Sequence, residues 1–449
     1  MRRSLAIAGA VVACAAVGAP LHAQGSSVDQ QSACMSGRVG AGVASPCDDA
    51  SGVYFSPAGL AGQGSAISLG VTLINAGNTF TYDVGRQPAG SPQSIERDRE
   101  TIPVPQAFAS FKVHPRVAAA IGVFAPYGLG LKWPACSVET ANTAGCDQSQ
   151  NFEGRYTGYD NALRAIFVQP TLSFDAIPGR LQIGAGLDYV RGSIEVHQRA
   201  DAPTLGLRGT DVADVTLKGD GHGITANLGA ILRLNHNTSL GVRYLHSTKI
   251  DFTGDAAFVQ VPTGTIFDAL IAPQFAAGGQ FTNQGIATTI KFPHQLVAGI
   301  SYRPVEVLNL LFDYQRTGWS SFKAFDIDFE NNPNRVLNLN YRDTNTFRLA
   351  GEFTYSDALS FRLGYRYNQA ATPRATPFLP EGERNYYTAG IGWHLNRALS
   401  ADFSYQYINQ PNRRGALRPD EPAIGVYDAF GQTFGFTLAY RFGARPMGQ

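Results

Sequence analysis

Near its C-terminus the chain reads Phe434-Gly435-Phe436-Thr437-Leu438-Ala439-Tyr440-Arg441-Phe442, a strict alternation of large apolar residues with small or polar ones. A β-strand sends successive side chains to opposite faces, so this stretch has one greasy face and one face that tolerates water. Many all-β proteins could use such a strand once. Its recurrence along the chain points to an all-β membrane barrel, whose outer face meets lipid and whose inner face lines a polar lumen.

The recurrence is easily traced. Leu359, Phe361, Leu363, Tyr365 and Tyr367 alternate with Ser360, Arg362, Gly364 and Arg366, and Ala401, Phe403, Tyr405 and Tyr407 with Asp402, Ser404 and Gln406. Tyrosines gather at the ends of the apolar faces, as in the aromatic girdles at membrane–water interfaces. The pattern predicts strands near 65–82, 104–114, 116–127, 161–175, 180–197, 215–234, 238–253, 288–303, 306–319, 342–356, 357–369, 384–396, 398–409 and 430–442. These make a transmembrane antiparallel β-barrel of 14 strands, an even number, as a closed bacterial barrel requires. Short turns alternate with long loops at 83–103, 128–160, 198–214, 254–287, 320–341, 370–383 and 410–429. A soluble β-sandwich gives no reason for that alternation.

Composition agrees. The 449 residues include 49 Gly, 27 Phe and 19 Tyr, only 16% are charged, and the net charge is +1. That balance suits antiparallel strands and argues against nucleic acid as a partner. Residues 1–23 read as a secretory signal peptide: Arg2 and Arg3, an apolar run from Leu5 to Val17, and Leu21-His22-Ala23 before the cleavage point. Four cysteines follow. In an exported chain Cys34, Cys47, Cys136 and Cys146 are disulfide candidates; local pairing is favoured, although three connectivities are open. No motif supports a metal or cofactor, so none is expected.

Residues 24–63 do not read as wall. They are rich in Gly, Ser and Ala, and a barrel of this size has a lumen to fill. They form either an N-terminal hatch, or plug, stapled by Cys34 and Cys47, or a loose periplasmic arm. The expected organisation is thus signal 1–23, hatch 24–63, barrel 64–442 and a C-terminal extension 443–449.

Within the hatch, Ser36-Gly37-Arg38-Val39-Gly40-Ala41-Gly42-Val43-Ala44, then Asp48-Asp49-Ala50-Ser51, then Ser56-Pro57-Ala58 stand in order. Downstream come Gly219-Asp220-Gly221-His222-Gly223, Arg243-Tyr244 before Lys249-Ile250-Asp251-Phe252, and Asp313-Tyr314 before Trp319-Ser320-Ser321-Phe322. Across essentially the whole mature chain this resembles the FadL family, the long-chain fatty acid transporters of Gram-negative outer membranes. Two departures stand out. Ser56 occupies a position where that family usually has Asn, and seven residues follow Phe442 where the family usually ends on Phe.

The resemblance implies passive, gated uptake of long-chain fatty acids or other hydrophobic molecules: capture by extracellular loops, hatch rearrangement and lateral exit at a kinked third strand. It makes Asp48, Asp49, Ser56, Pro57 and Ala58 the hatch and gating candidates. Pro126 joins them, because proline cannot donate to the ladder. Phe124 lies on the same strand. Loop 254–287 is unusually apolar, and Phe267, Leu270 and Ile271, on a predicted short amphipathic helix over 265–272, are candidates for substrate capture. Lys323 lies where the resemblance places a basic ligand contact. Arg191 follows a similar region; strict alternation points it outward, unless Gly192 marks a bulge. By parity Lys112, Arg164, Arg243, Arg348, Arg362, Arg366 and Arg441 can face inward, where wall pairing such as Arg348 with Glu352 or Arg362 with Asp402 competes with ligand binding. Expected partners are a hydrophobic ligand, outer-membrane lipid and lipopolysaccharide, and the barrel assembly machinery, with a monomeric chain. The rivals are an outer-membrane lipolytic enzyme, for which no Gly-x-Ser-x-Gly is present, and a general diffusion porin.

Overall fold

The computed structural model describes residues 28–418 and 421–442. The signal segment and the C-terminal extension lie outside the described residues. One closed antiparallel sheet runs round the molecule. Its staves are β1 Ser65–Tyr82, β2 Thr101–His114, β3 Val117–Lys132, β4 Asp160–Ile177, β5 Leu181–Ala200 and β6 Ala213–Arg233. Then come β7, in two runs Thr238–Leu245 and Thr248–Gln260, and β8, as Gln284–Phe292 and Gln295–Val305. The remainder are β9 Leu308–Thr317, continued by Ala324–Phe329, β10 Thr344–Ser356, β11 Leu359–Asn368, β12 Arg384–His394, β13 Leu399–Gly415 and β14 Gly425–Phe442. Short strands Ser94–Glu96 and Arg335–Asn338 extend the long-loop side.

The ring closes where the alternation predicts. Ile67 pairs with Tyr440, Leu69 with Leu438, Val71 with Phe436 and Leu73 with Phe434. Phe434 is 50%, Phe436 38%, Leu438 40% and Tyr440 48% exposed, whereas Gly435, Thr437 and Ala439 between them are buried. A water-soluble fold would bury the opposite set. This apolar exterior recurs on stave after stave, with Tyr189, Tyr302, Tyr355, Tyr387 and Trp393 among its exposed aromatics. The bilayer is the solvent that such a surface requires.

Residues 28–63 fold inside the ring. Ala33–Gly37 is a short helix whose first turn is capped by the Ser32 side chain, accepting from the Met35 N–H. Gly52–Phe55 and the 3-10 turn Pro57–Gly62 follow. The Cys34–Cys47 disulfide ties this segment to itself, and Cys136–Cys146 staples a long loop. Wall glycines let the segment approach. A Cβ on Gly184 would lie 2.3 Å from the Pro57 carbonyl carbon, and one on Gly241 would lie 2.5 Å from the Val43 oxygen.

Two irregularities matter for the site. β7, β8 and β9 all break at one level, since Leu245 pairs with Gln295 and Gln295 with Thr317, each at the end of its run. The other lies in β3. Its ladder to β2 ends at Ala107–Val123. Its ladder to β4 skips a bulge between Phe124 and Tyr127 and then continues to Lys132–Asp160. Pro126 therefore breaks pairing on one side only, and the stave does not end there as the sequence suggests.

Candidate functional site

Above the break in β7–β9, towards the long loops, lies a narrow apolar cavity of about 40 Å³. Its walls include Leu129, Leu163, Ile194, Phe292, Trp319 and Phe325. The excursion of β9 through the 3-10 turn Trp319–Ser321 is what brings Trp319 and Phe322 inward. A second, smaller space shares Ile194, Val196 and Phe325 with it. Both are dominated by carbon, the lining that a hydrophobic ligand needs.

An aromatic column forms the floor. Phe292 contacts Tyr127 at 4.8 Å between centroids, Tyr127 meets Phe167 at 6.0 Å, Phe167 stacks on Phe124 at 5.8 Å, and Phe124 meets Tyr54 at 5.1 Å. The column thus runs from the cavity to the lumen-filling segment. Tyr54 ends in charge: its hydroxyl donates to Asp29 at 3.3 Å, and the Arg243 guanidinium lies 4.3 Å from its ring centre.

Asp29 anchors the segment to the wall. Its Oδ2 accepts from Arg366 Nη1 at 2.5 Å and from Arg348 Nη2 at 3.1 Å. Burial opposes the carboxylate charge, but Arg366 and Arg348 outweigh it and hold Asp29 well below the ordinary carboxylate range. Burial, with the Asp29 charge nearby, pushes the Tyr54 phenol up to about 12. Nearer the short-turn mouth, Arg38 pairs with Glu352 at 2.7 Å, Arg362 with Asp402 at 2.6 Å, and Arg441 with Asp48 at 3.1 Å. Asp313 accepts the Gly42 and Val43 N–H groups at 2.8 and 3.1 Å. These charges are tolerated because Asp29, Arg38 and Asp48 find partners across the segment–wall boundary, and Arg362 and Asp402 find each other within the wall.

The bulge in β3 opens a window in the wall. Residues 101–106 of β2 pair with β1, and 127–132 of β3 pair with β4, but no ladder joins the two across the gap. Arg97 bridges its outer rim, donating to the Gly130 carbonyl at 2.9 Å. The lumen segment closes its inner side. The Val28 N–H donates to the Pro126 carbonyl at 2.8 Å, and Gln31 Nε2 donates to the Ala125 carbonyl at 2.8 Å. Gln31 Oε1 accepts the Ala125 N–H at 3.2 Å. Val28 packs there with Ile74, Ile102, Val104 and Ala125.

A barrel with a filled lumen, an apolar cavity and an unpaired wall segment is a specific combination, and the comparison with known families matches it. Residues 12–442 match the family described as outer membrane protein transport protein (OMPP1/FadL/TodX). The chain belongs to this family. A protein of Neisseria meningitidis serogroup B described as an outer membrane protein is 23% identical over 445 residues, spanning 93% of this chain and 92% of the relative. The crystal structure of a Pseudomonas aeruginosa FadL homologue superposes with a TM-score of 0.79 at 20% identity, covering 93% of this chain and 100% of that one. The Ralstonia pickettii toluene transporter TbuX gives 0.64 at 20% identity, covering 93% and 98%. At these identities the solved structures establish the fold. As an OMPP1/FadL/TodX member the protein resides in the outer membrane and is a transport protein, not an enzyme.

Within that family frame, the structure sorts the residues singled out by the sequence. Pro126 forms the window's inner edge, and Phe124 belongs to the aromatic floor. Asp49 is buried and accepts from Ser32 and Ser51 at 2.5 Å each, holding the segment's own turn. Asp48 is exposed at the short-turn mouth against Arg441. Ser56 Oγ donates to the Val43 carbonyl at 2.7 Å, and Pro57 and Ala58 press on Gly184. Phe267–Ile271 is a helix at the outer loops, where Ile271 is buried, Phe267 half-buried and Leu270 exposed.

Four expectations need correction. Arg191 is exposed on the outer face, because register runs unbroken through Ile166–Arg191 and Arg191–His222 and no bulge re-aims it at Gly192. Arg164 also lies on the outward row, since Leu163 and Ala165 are the buried, inward residues. Lys323 is exposed beside the cavity residue Phe322 and does not line the cavity. Arg348 pairs with Asp29, while Glu352 takes Arg38 and Arg362. Sequence reading passed over Asp29 and Gln31, which carry no local motif.

Proposed function

We propose that this outer-membrane protein takes up long-chain fatty acids or other hydrophobic molecules passively, through its wall rather than along its axis. Extracellular loops capture the molecule, the apolar cavity holds it, and the β2–β3 window releases it sideways into the membrane. Residues 24–63 act as the hatch that keeps the axis shut. The observation that carries this reading is the window: a stretch of wall without a β2–β3 ladder beside an aromatic floor, closed from inside by Val28, Gln31 and their apolar neighbours and bridged at its outer rim by Arg97. Unpaired backbone cannot face lipid unless something covers it, so the seal is a device that must move for passage.

Solved structures with the same fold include proteins titled as toluene transporters and monoaromatic hydrocarbon channels. Those titles support a greasy cargo for this chain. The working form is a monomer in outer-membrane lipid and lipopolysaccharide, inserted by the barrel assembly machinery. Uptake of labelled oleate and labelled toluene, in cells with and without the protein, tests the reading. Faster entry of either cargo is expected, and equal rates for both would overturn it. The porin alternative requires large ionic conductance from the intact chain. The lipolytic alternative requires ester hydrolysis abolished by a single Ser or His substitution.

A further inference from the structure

The outer wall is not the same all round. On most staves the outward row ends, towards the long loops, in a polar residue one step above the last large apolar one. On five staves of one side that residue is an uncharged amide: Asn345 above Phe347 on β10, Asn385 above Tyr387 on β12, Asn409 above Tyr407 on β13, Gln432 above Phe434 on β14 and Asn75 above Leu73 on β1. On β4 to β9 it is a base. Arg164 stands above Ile166, Arg191 above Tyr189, His222 above Ile224 and Arg316 above Tyr314, and Lys249 and Lys291 take this level on β7 and β8. All are exposed except Arg164, which is half-buried. Register makes the arc continuous: Arg191 pairs with His222, His222 with Asp251, and Lys249 with Lys291.

Carboxylates neutralise only part of it. Lys249 holds Asp251 and Arg316 holds Asp343, each at 3.0 Å. Among the described residues no carboxylate pairs with Arg164, Arg191 or Lys291. One step further out Lys218 holds Glu195 at 2.8 Å, and Asp220 and Asp255 are exposed, so the excess positive charge is confined to one row. Lysines directly opposite each other in a sheet repel, as Lys249 and Lys291 do. An anion set between them turns that repulsion into attraction.

The depth of the row names the anion. The long loops are extracellular, so cations just above the aromatic girdle on the outward face stand at the headgroups of the outer leaflet. Adjacent strands lie about 4.8 Å apart, so five steps from β4 to β9 span about 24 Å. That width takes more than one phosphate, and guanidinium and ammonium groups are both phosphate binders. We propose that the arc from Arg164 to Arg316 binds the phosphates of lipopolysaccharide, with Arg191 and Lys291 as its main cations. The amide side offers hydrogen bonds without charge, so this glycolipid is held on the β4–β9 side. The proposal concerns the outer wall and stands apart from the uptake reading.

The test is native mass spectrometry of the full chain purified in detergent, which counts bound lipid. The probes are the diphosphorylated lipid anchor of lipopolysaccharide, the same glycolipid stripped of its phosphates, phosphatidylglycerol and inorganic phosphate. The diphosphorylated form should bind at roughly tenfold lower concentration than the other two lipids, and inorganic phosphate should not displace it. Arg191→Asn/Lys291→Asn should abolish that advantage. Arg180→Asn/Arg397→Asn, which removes two exposed charges from the short-turn rim, should keep it. Asparagine is what β10, β12 and β13 already carry at this level, and heat-modifiable migration in gels shows that each variant is folded. An advantage that survives R191N/K291N, or is lost equally in R180N/R397N, overturns the assignment to the arc. Equal binding of the stripped glycolipid overturns phosphate as the group bound. Equal binding of phosphatidylglycerol overturns lipopolysaccharide as the occupant, and displacement by inorganic phosphate overturns a lipid source.

Discussion

The backbone N–H of Val28 donates to the carbonyl of Pro126 at 2.8 Å, so the first described residue of the lumen segment supplies a hydrogen bond that the wall lacks. After the bulge β3 has lost its β2 neighbour, and its polar groups need partners in the membrane interior. Val28 and Gln31 provide them from inside. The lumen segment and the window are therefore tied together by hydrogen bonds.

Gln31→Leu should loosen that tie. The substitution leaves the N–H and carbonyl of Ala125 without their partners, at about 1–3 kcal/mol for each unsatisfied group. The expected outcome is a folded barrel in which a cysteine introduced at Val104 reacts with maleimide several-fold faster than in the Gln31 background. Equal labelling rates would show that Gln31 does not hold the window.

Asp29→Asn should unlock the hatch. It removes the buried negative charge shared by Arg348 and Arg366, and breaking a buried pair typically costs about 3–5 kcal/mol. Those arginines belong to the wall, so the loss falls on the attachment of residues 28–63. Single-channel recording in planar bilayers should show frequent openings in D29N and a largely closed wild type.

The same lock fixes the acid response. Asp29 lies below its ordinary value of 3.8 in the folded protein, because the two arginines outweigh burial. A depressed carboxylate contributes its stability above the unfolded value and loses it as pH falls through the folded one. Closure should thus be the same at pH 7 and pH 5 and weaken only well below pH 3.8. Conductance followed across that range checks the sign, and D29N should lack the acid step.

Gly184→Val tests the close approach of hatch and wall. Any Cβ at this position would overlap the Pro57 carbonyl carbon at 2.3 Å, whereas Gly85 faces open space. G184V should admit a large antibiotic that the outer membrane normally excludes, and G85A, whose cost is confined to its positive φ, should not. Matching sensitivity in the two variants would contradict the packing described.

Much of this molecule could be read in advance because lipid imposes its demand at every second residue. The Phe434–Phe442 face and its closure on Ile67–Leu73 follow from alternation alone. The lumen obeys no such period. Arg348 and Arg362 both read as inward cations, and parity also offered Arg362 its wall partner Asp402, but the partner of Arg348 is Asp29, which sits in a stretch without pattern. Arg191 shows the reverse case, where strict parity was a better guide than resemblance. The window arises at a one-residue slip near Pro126, and a proline marks the break without saying which neighbour is lost.

Lateral exit between β2 and β3 is open to a direct test. Val104 and Ala125 lie in one buried cluster across that window. A Val104→Cys/Ala125→Cys double variant, oxidised so that the two positions are joined, should lose uptake of labelled hydrophobic cargo down to the level of cells without the protein. Each single variant should retain it. Undiminished uptake by the fully cross-linked protein would contradict lateral exit.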